Sequence, residues 1–309
     1  MPRSAPSQPK AAVVTVSYGS GEVLEAFLAS LRQFHGDALP VVVVDNKPDH
    51  ENVAELAERF GASYVALPEN PGYGAGMDAG VRALTVERGA GGGSSPSTRS
   101  ASGHDAYFFC NPDVRFAEET VLSLARVMLA DPRIGSIGPR VLNDDGTVYS
   151  SARNIPSVRT GIGHALFGKL WKGNPWSRAY TAAADHDGAR AAGWLSGAAV
   201  MVGADVYREI GGWDDAYFMY FEDVDLGYRI GLAGYENRYE PSVAVTHSGA
   251  HSTQKHAAVV ERAMTESAIR FMRKRYAGFW AAPLRWAIVL GLRVRGRLRL
   301  RTARHGEPA

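Results

Sequence analysis

The chain has 309 residues, 45% of them hydrophobic and 21% charged, with a formal net charge of +2 at pH 7. That composition excludes a disordered or fibrous chain, and the length allows a substantial buried core. Its one cysteine, Cys110, excludes an intrachain disulfide and fits a reducing compartment.

Residues 1–9 read as a disordered N-terminus. MPRSAPSQPK has no apolar run after its basic residues, so it does not read as a secretory signal, and a cytoplasmic protein is expected. AAVVTVS (11–17) predicts a short buried strand. Apolar residues recur at helical spacing over 22–34, a helix that Ser20 can cap. VVVVDN (41–46) is a second strand, and Asp49 can cap a helix carrying Val53, Leu56 and Phe60. SYVAL (63–67) and AYFFC (106–110) are further strands, and 118–130 is a third amphipathic helix. Strands alternating with helices predict an α/β fold with a parallel sheet covered on both faces. Between Arg88 and His104 a Gly/Ser-rich stretch lacks large apolar residues and reads as a flexible loop within the domain. Beyond residue 134 the pattern is mixed: strand 194–202, helices 204–210 and 222–233, and strand 237–247 ending at His247. Asp144-Asp145-Gly146 reads as a hairpin turn.

In open α/β sheets, ligands bind beyond the carboxyl ends of the strands. Ser17-Tyr18, Asp45-Asn46 and Asn111-Pro112-Asp113 stand at three such ends. Each alone is equally a cap or a turn; three in register predict a crevice. Asn70 opens NPGYGAGMDAG, whose glycines, Gly72 and Gly76 among them, permit tight turns and close backbone approach. Its spacing matches neither a dinucleotide nor a Walker loop. Asp113 and His247 can share a divalent cation, Mg²⁺ or Mn²⁺, with phosphate oxygens completing its shell. The densest cluster contains Glu222, Asp223 and Asp225 beside aromatic residues. Acidic residues in a first helical turn also favour the macrodipole. Asp225 and Arg229 stand at i,i+4 and read as a structural ion pair. That leaves Glu222 and Asp223 for chemistry, since like charges beside apolar walls raise a carboxylate toward the range of a general base.

Seven segments in order, VVTVSY, VVVVDN, NPGYGAGMDAG, FFCNPDV, GWLSGAAVMV, YFEDVDLGYR and HSGAHST, resemble the family 2 inverting glycosyltransferases of GT-A fold. The resemblance covers 10–275 and is strongest to bacterial rhamnosyltransferases, among them the actinobacterial enzymes that add L-rhamnose to polyprenyl-diphospho-GlcNAc. It implies a Rossmann-like, mostly parallel sheet with helices on both faces. It implies that Asp45, with Ser17, Tyr18 and Asn46, binds the nucleotide base and ribose, and that Asn70, Gly72 and Gly76 line the crevice. Asp113 takes the place of the last carboxylate of the family's DxD motif, and His247 that of the later metal- or diphosphate-contacting histidine. Asp223 takes the place of the catalytic base, beside Glu222, and Trp194, Ser196 and Gly197 match a segment near the acceptor. The sequence departs at Asn111, where the DxD has its first carboxylate; this leaves more of the cation's binding to His247 and the phosphates. It departs also at Asp78, where many relatives carry Asn, which bears on donor contacts. The implied donor is dTDP-β-L-rhamnose, and one displacement would give an α-rhamnoside.

From Arg273 onward lie ten of the 34 Lys/Arg and one of the 32 Asp/Glu, a local +9 against −7 for the rest. An acidic body with a basic tail predicts a polyanionic partner. YAGFWAAPLRWAIVLGL (276–292) is broken by Pro283 and Arg285 and falls short of the ~20 apolar residues of a spanning helix. Arg293, Arg295, Arg297, Arg299 and Arg301 follow at every second position. Segment 276–309 therefore reads as a basic amphipathic tail, peripheral on the anionic inner face of the cell membrane; the other reading is a helix packed on the catalytic domain. Two rival functions stand beside glycosyl transfer. A nucleotidyltransferase would need a basic triphosphate loop that VSYGSGEVLE lacks. A basic-tailed nucleic-acid-binding or scaffold protein would leave the strand-end carboxylates unexplained, and no nucleic-acid partner is expected.

Overall fold

The computed structural model describes residues 8–48, 50–89, 103–157, 187–249 and 257–304. The expected cap at Asp49, most of the 88–104 segment, and His251-Ser252-Thr253 lie outside the described residues. The first half alternates as expected: β1 (Ala11–Ser17), α1 (Gly21–His35), β2 (Val41–Asp45), α2 (Val53–Arg59), β3 (Ser63–Ala66), α3 (Tyr73–Gly89) and β4 (Ala106–Cys110). These strands are parallel, in the order β3-β2-β1-β4. β1, β2 and β4 are buried along their whole length because helices cover both faces. Val13, Val41, Val43, Phe108 and Cys110 point to the α1, α2 and α4 (Thr120–Ala130) side, while Val14, Val42, Val44 and Phe109 point to α3.

The second half departs from the parallel pattern. After β5 (Val114–Phe116), α4 leads into β6 (Ile134–Leu142) and β7 (Val148–Tyr149), joined by the expected hairpin turn with Gly146 at φ 78°. β8 (Ala152–Arg153), β9 (Arg190–Ala192), β10 (Trp194–Leu195) and β11 (Ala199–Gly203) follow. β11 lies antiparallel between β4 and β6. The single strand expected over 194–202 is in fact broken: β10 pairs with β8, and Ser196–Ala198 turns out of both ladders. α5 (Ala204–Glu209), α6 (Glu222–Leu232) and β12 (Glu236–His247) complete the sheet, with β12 parallel to β6 and antiparallel to β5.

Two local readings are corrected. Ser20 stands at the N-cap of α1, but its hydroxyl accepts from the Tyr18 N–H, and Glu51 receives the Gly21 N–H instead. NPGYGAGMDAG is largely not a loop, because α3 begins at Tyr73 and its glycines are helical. They let the helix axis drop onto the sheet: a Cβ on Gly80 would stand 2.3 Å from Val14 and 3.1 Å from Val44.

The C-terminal segment is a docked hairpin, not a free tail. α7 (Ala257–Arg275) and α8 (Ala282–Arg304) pack together, with Gly296 against Thr265 and Val289 buried. Arg285 donates to the carbonyls of Tyr276, Ala277 and Gly278 and holds the turn. Phe271 of α7 is fully buried against Phe221 and Tyr228, so the hairpin is anchored to α6. Among the described residues no helix is long and apolar enough to cross a membrane.

The approach of α3 gives a test with a determined sign. A helical Gly→Ala change normally gains about 1 kcal/mol. At Gly80 the methyl would overlap Val14, so Gly80→Ala should destabilise the protein by about 1–3 kcal/mol in urea unfolding. A gain in stability would mean that α3 does not rest on the sheet as described.

Candidate active site

β1 and β2 end in register, with Ser17 opposite Asp45, and the Asn46 N–H donates to the Ser17 carbonyl at 2.9 Å. Asp45 is fully buried, accepting from the Lys47 N–H at 2.9 Å and the Tyr64 hydroxyl at 3.2 Å. Asn46 donates to Asn70 Oδ1 at 3.0 Å and to the Gly72 carbonyl at 3.2 Å. This ties the end of β2 to the turn before α3, where Asn70 has φ 44° and Gly72 φ 101°. A Cβ on Gly72 would stand 2.2 Å from the Phe218 carbonyl oxygen, so only glycine admits the loop that lies there. Gly76 packs on Val16 beside Asn46. The buried Ser17 hydroxyl and Asn46 Oδ1 have no partner among the described residues. Buried polar atoms are rarely left so, and a nucleoside in this crevice would satisfy them. Tyr18 is half exposed at the lip, with Lys47 Nζ 5.5 Å from its ring centre.

Asp78 is turned elsewhere. Its carboxylate accepts from the Tyr207 hydroxyl and, at 3.1 Å, from the Trp213 N–H, latching α3 to the turn at Gly212. These contacts give Asp78 a structural part, and burial raises its pKa.

Asn111 and Asp113 leave the end of β4 and meet His247 at the end of β12. His247 Nε2 lies 3.2 Å from Asp113 Oδ1 and 3.0 Å from Asn111 Nδ2. The other Asp113 oxygen accepts from the Gly249 N–H at 2.9 Å. Burial pushes the Asp113 carboxyl up, but the His247 contact and the Gly249 N–H outweigh it and hold it below the usual range. Among the described residues no group of three or more His, Cys, Asp or Glu converges. An imidazole nitrogen facing a carboxylate oxygen suits a divalent cation with two protein ligands and open positions for phosphate oxygens.

α6 starts immediately after Tyr220 and Phe221, whose φ values of 64° and 66° are uncommon for residues with side chains. The turn is held by the Asp225 N–H on the Phe221 carbonyl, the Ser267 hydroxyl on the Met219 carbonyl, and the Phe221–Phe271 ring contact. It presents Glu222 and Asp223 differently. Glu222 is buried, and its Oε2 has no partner among the described residues. Burial, and then the Asp223 charge, push its carboxyl well above the usual carboxylate range. Asp223 keeps a partly open face and accepts from the Gly197 N–H at 3.2 Å and the Val224 N–H at 2.8 Å. Burial raises it too, while those N–H groups and the Arg153 charge act in the opposite direction. Asp225 forms the expected pair with Arg229 at 2.6 Å, and Lys274 adds a second contact at 2.7 Å.

Of the acceptor segment, Trp194 lies beneath α6. Its indole N–H donates to the Asn154 carbonyl at 3.1 Å, and its Cβ leaves no room for a side chain at Gly227. The Ser196 hydroxyl accepts from the Ala198 N–H. Gly197 joins the parts: its N–H reaches Asp223, and its carbonyl accepts from the Tyr73 hydroxyl at 2.6 Å. The next carbonyl, Ala198, accepts from the Asn111 N–H at 3.1 Å. Tyr73 was not legible as a site residue; the signal was an aromatic inside a glycine-rich run. Its ring stands edge-on to Trp213, and burial, then Cys110, Glu222, Asp223 and Asp113, push its hydroxyl well above the usual range. Arg153, whose guanidinium lies 5.5 Å from the Trp194 ring, was missed as well.

Comparison with known proteins agrees with this arrangement. The Glycosyl transferase family 2 profile matches residues 12–188. The chain is 35% identical over 292 residues, 94% of its length and 93% of the relative's, to the N-acetylglucosaminyl-diphospho-decaprenol L-rhamnosyltransferase of Mycobacterium tuberculosis. It is 29% identical over 82 residues, 26% of this chain and 31% of the relative, to the rhamnosyltransferase WbbL of Escherichia coli. The fold resembles the mannosyltransferase PcManGT from Pyrobaculum calidifontis, solved with GDP-Man and Mn²⁺, with TM-score 0.56 and 13% identity over 97% of this chain and 74% of that one. It also resembles GalNAc-T7, solved with UDP, GalNAc and Mn²⁺, with TM-score 0.54 and 14% identity over 83% of this chain and 48% of that one. On the family match and the long identity to a curated relative, the chain belongs to glycosyl transferase family 2 and is a glycosyltransferase of GT-A fold.

Proposed function

We propose that the protein transfers L-rhamnose from dTDP-β-L-rhamnose to a hydroxyl of a polyprenyl-diphospho-GlcNAc acceptor, inverting the anomeric centre to give an α-rhamnoside. The observation that carries the reaction type is the unequal carboxylate pair at the start of α6. Two adjacent carboxylates in a buried setting do not ionise together readily. The proton resides on Glu222, which leaves Asp223 anionic and partly open. Asp223 takes the proton of the acceptor hydroxyl as that oxygen attacks the anomeric carbon from the face opposite the leaving diphosphate. The Gly197 and Val224 N–H groups hold the carboxylate in position. Ser17, Asp45, Asn46 and Asn70 form the nucleoside end of the crevice. Asp113 and His247 would hold a divalent cation, Mg²⁺ or Mn²⁺, which supplies Lewis-acid stabilisation of the leaving diphosphate. The long match to the mycobacterial rhamnosyltransferase supports rhamnose as the transferred sugar and a polyprenyl-diphospho-GlcNAc acceptor.

The α8 surface supports a peripheral place on an anionic membrane, such as the inner face of the cell membrane. One side of the helix packs on α7; the opposite side exposes Trp286, Leu290, Val294 and Leu298, with Trp280 just before it, 92% exposed. Arginines at every second position alternate sides of a helix, because two residues turn by about 200°. Arg293 and Arg297 therefore border the apolar stripe on one side and Arg295 and Arg299 on the other. Such a stripe suits insertion at the headgroup level beside anionic lipid.

Asp223→Asn should lower kcat by roughly 100- to 10,000-fold while leaving donor affinity near that of the parent. Retained turnover in that variant, with loss in Glu222→Gln, would exchange the two roles. Glu222 also sets a pH dependence of stability. Its carboxyl has an ordinary value of 4.5 and is pushed up to about 8 in the fold. The stability it contributes is fully present below the unfolded value and is lost as pH rises through the folded one. Glu222→Gln removes that slope, so its Tm relative to the parent should climb between about pH 5 and pH 9. A constant difference would mean that Glu222 is ionised in the fold.

Chelation by EDTA should remove activity, and Mg²⁺ or Mn²⁺ should restore it. Full activity in chelator would leave Asp113 and His247 as hydrogen-bonding groups for the donor. The double variant Trp280→Ser/Trp286→Ser should keep its Tm, since both rings are exposed, yet lose co-sedimentation with anionic vesicles. Equal sedimentation of variant and parent would remove the stripe as the membrane contact.

A further inference from the structure

Beside the α8 stripe lies a groove of about 1110 Å³ between α7, α8 and the 214–218 loop. Among its lining groups are six cations and two carboxylates. Lys274 is committed to Asp214 and Asp225, and Arg270 lies over the Tyr217 ring. Arg273, Arg293 and Arg297 are exposed and face no acidic partner among the described residues. Three uncompensated guanidiniums around one groove form a site for a compact polyanion, since planar guanidinium forks match phosphate oxygens.

The place of the groove identifies which anion. Its wall at Phe218 is the same backbone that accepts the Tyr73 N–H at 3.1 Å and leaves room only for glycine at Gly72. Five residues farther along the chain, at the start of α6, is Asp223. On its other side, Arg293 and Arg297 belong both to the groove and to the border of the apolar stripe. Along these segments the order is apolar stripe, basic groove, and the loop that leads to Asp223. A polyprenyl-diphospho-sugar has the same order: an apolar chain, two phosphates, and a sugar hydroxyl on the far side of the ring.

We propose that this groove binds the diphosphate of the lipid-linked acceptor, with Arg273, Arg293 and Arg297 as its ligands. The proposal rests on the acceptor class given above and adds where the acceptor is held. The donor diphosphate is separate, because Asp113 and His247 already face the end of β4. The groove fixes the acceptor by its phosphates and lets the GlcNAc ring extend to Asp223, so recognition of the lipid's headgroup and placement of the attacking hydroxyl are one event.

The test compares the parent with Arg273→Ala/Arg297→Ala on two acceptors in detergent: a short-chain prenyl-diphospho-GlcNAc and an alkyl GlcNAc glycoside lacking phosphate. Losing charge-assisted contacts from two arginines should cost roughly 100-fold in kcat/KM on the diphosphate acceptor and leave the alkyl glycoside within about 3-fold. Equal losses on both acceptors, or no loss on either, would overturn the proposal. Unchanged kinetics on the short-chain diphosphate acceptor, with loss of binding to acceptor-free anionic vesicles, would assign the groove to phospholipid headgroups and overturn it too. Calorimetric titration with the same short-chain prenyl-diphospho-GlcNAc reads the groove without turnover. Binding to the parent that is lost in the variant would uphold the groove even if no rhamnose is transferred, and binding equal in both would reject it. Failure of the parent on every acceptor would count against the proposed reaction alone.

Discussion

The peptide from Ser196 to Ala198 is the constraint on which the site depends. It belongs to neither β10 nor β11, so its backbone groups are free to bond elsewhere. The Gly197 N–H holds Asp223, its carbonyl holds Tyr73, and the Ala198 carbonyl receives the Asn111 N–H. Three otherwise separate elements, the starts of α3 and α6 and the end of β4, are thereby fixed to one short stretch. A Cβ at its centre would stand 3.2 Å from the Tyr73 ring, which would have to give by a few tenths of an ångström. Displacement of this peptide would move Asp223, Tyr73 and Asn111 together, and catalysis by positioning tolerates little such movement.

Electrostatics then divides labour between neighbours of like chemistry. Glu222 and Asp223 are adjacent in sequence, yet the strained Tyr220-Phe221 turn buries one and leaves the other partly open. Burial raises both carboxyls, and the N–H groups of Gly197 and Val224 oppose that rise at Asp223. Asp225, one turn position farther, is neutralised by Arg229 and Lys274 and anchors α6 to α7. Three carboxylates within four residues thus stand in three settings, one buried, one partly open and one ion-paired. The Asp225–Lys274 contact also couples the C-terminal hairpin to the helix that carries Glu222 and Asp223.

Much of this was legible in the sequence because the physics was local. β1, β2 and β4 are continuous apolar runs, and only a sheet covered on both faces accommodates them. Polar residues at their ends marked the crevice. Asp113 and His247, far apart in sequence, were paired by the chemistry of a shared cation and stand 3.2 Å apart. What stayed hidden depended on long-range packing. The break at Ser196–Ala198 lies within a uniformly small and apolar run that reads as one strand. The glycines of α3 read as a loop because their helical cost is local, whereas their reason, contact with Val14 and Val16, is tertiary. Asp78 reads as a donor ligand until Tyr207 and Trp213 are brought to it. Alternating arginines likewise carried no face until the segment proved helical.

The central claim is that this one constellation carries out a single inverting displacement with rhamnose as the transferred sugar. The most direct measurement is the anomeric configuration of the product formed from dTDP-β-L-rhamnose and a prenyl-diphospho-GlcNAc acceptor, read by NMR of the isolated glycoside. The account predicts an α-L-rhamnoside as the sole linkage. A β-linked product would contradict single displacement by Asp223, and transfer of another sugar in preference to rhamnose would contradict the assigned donor.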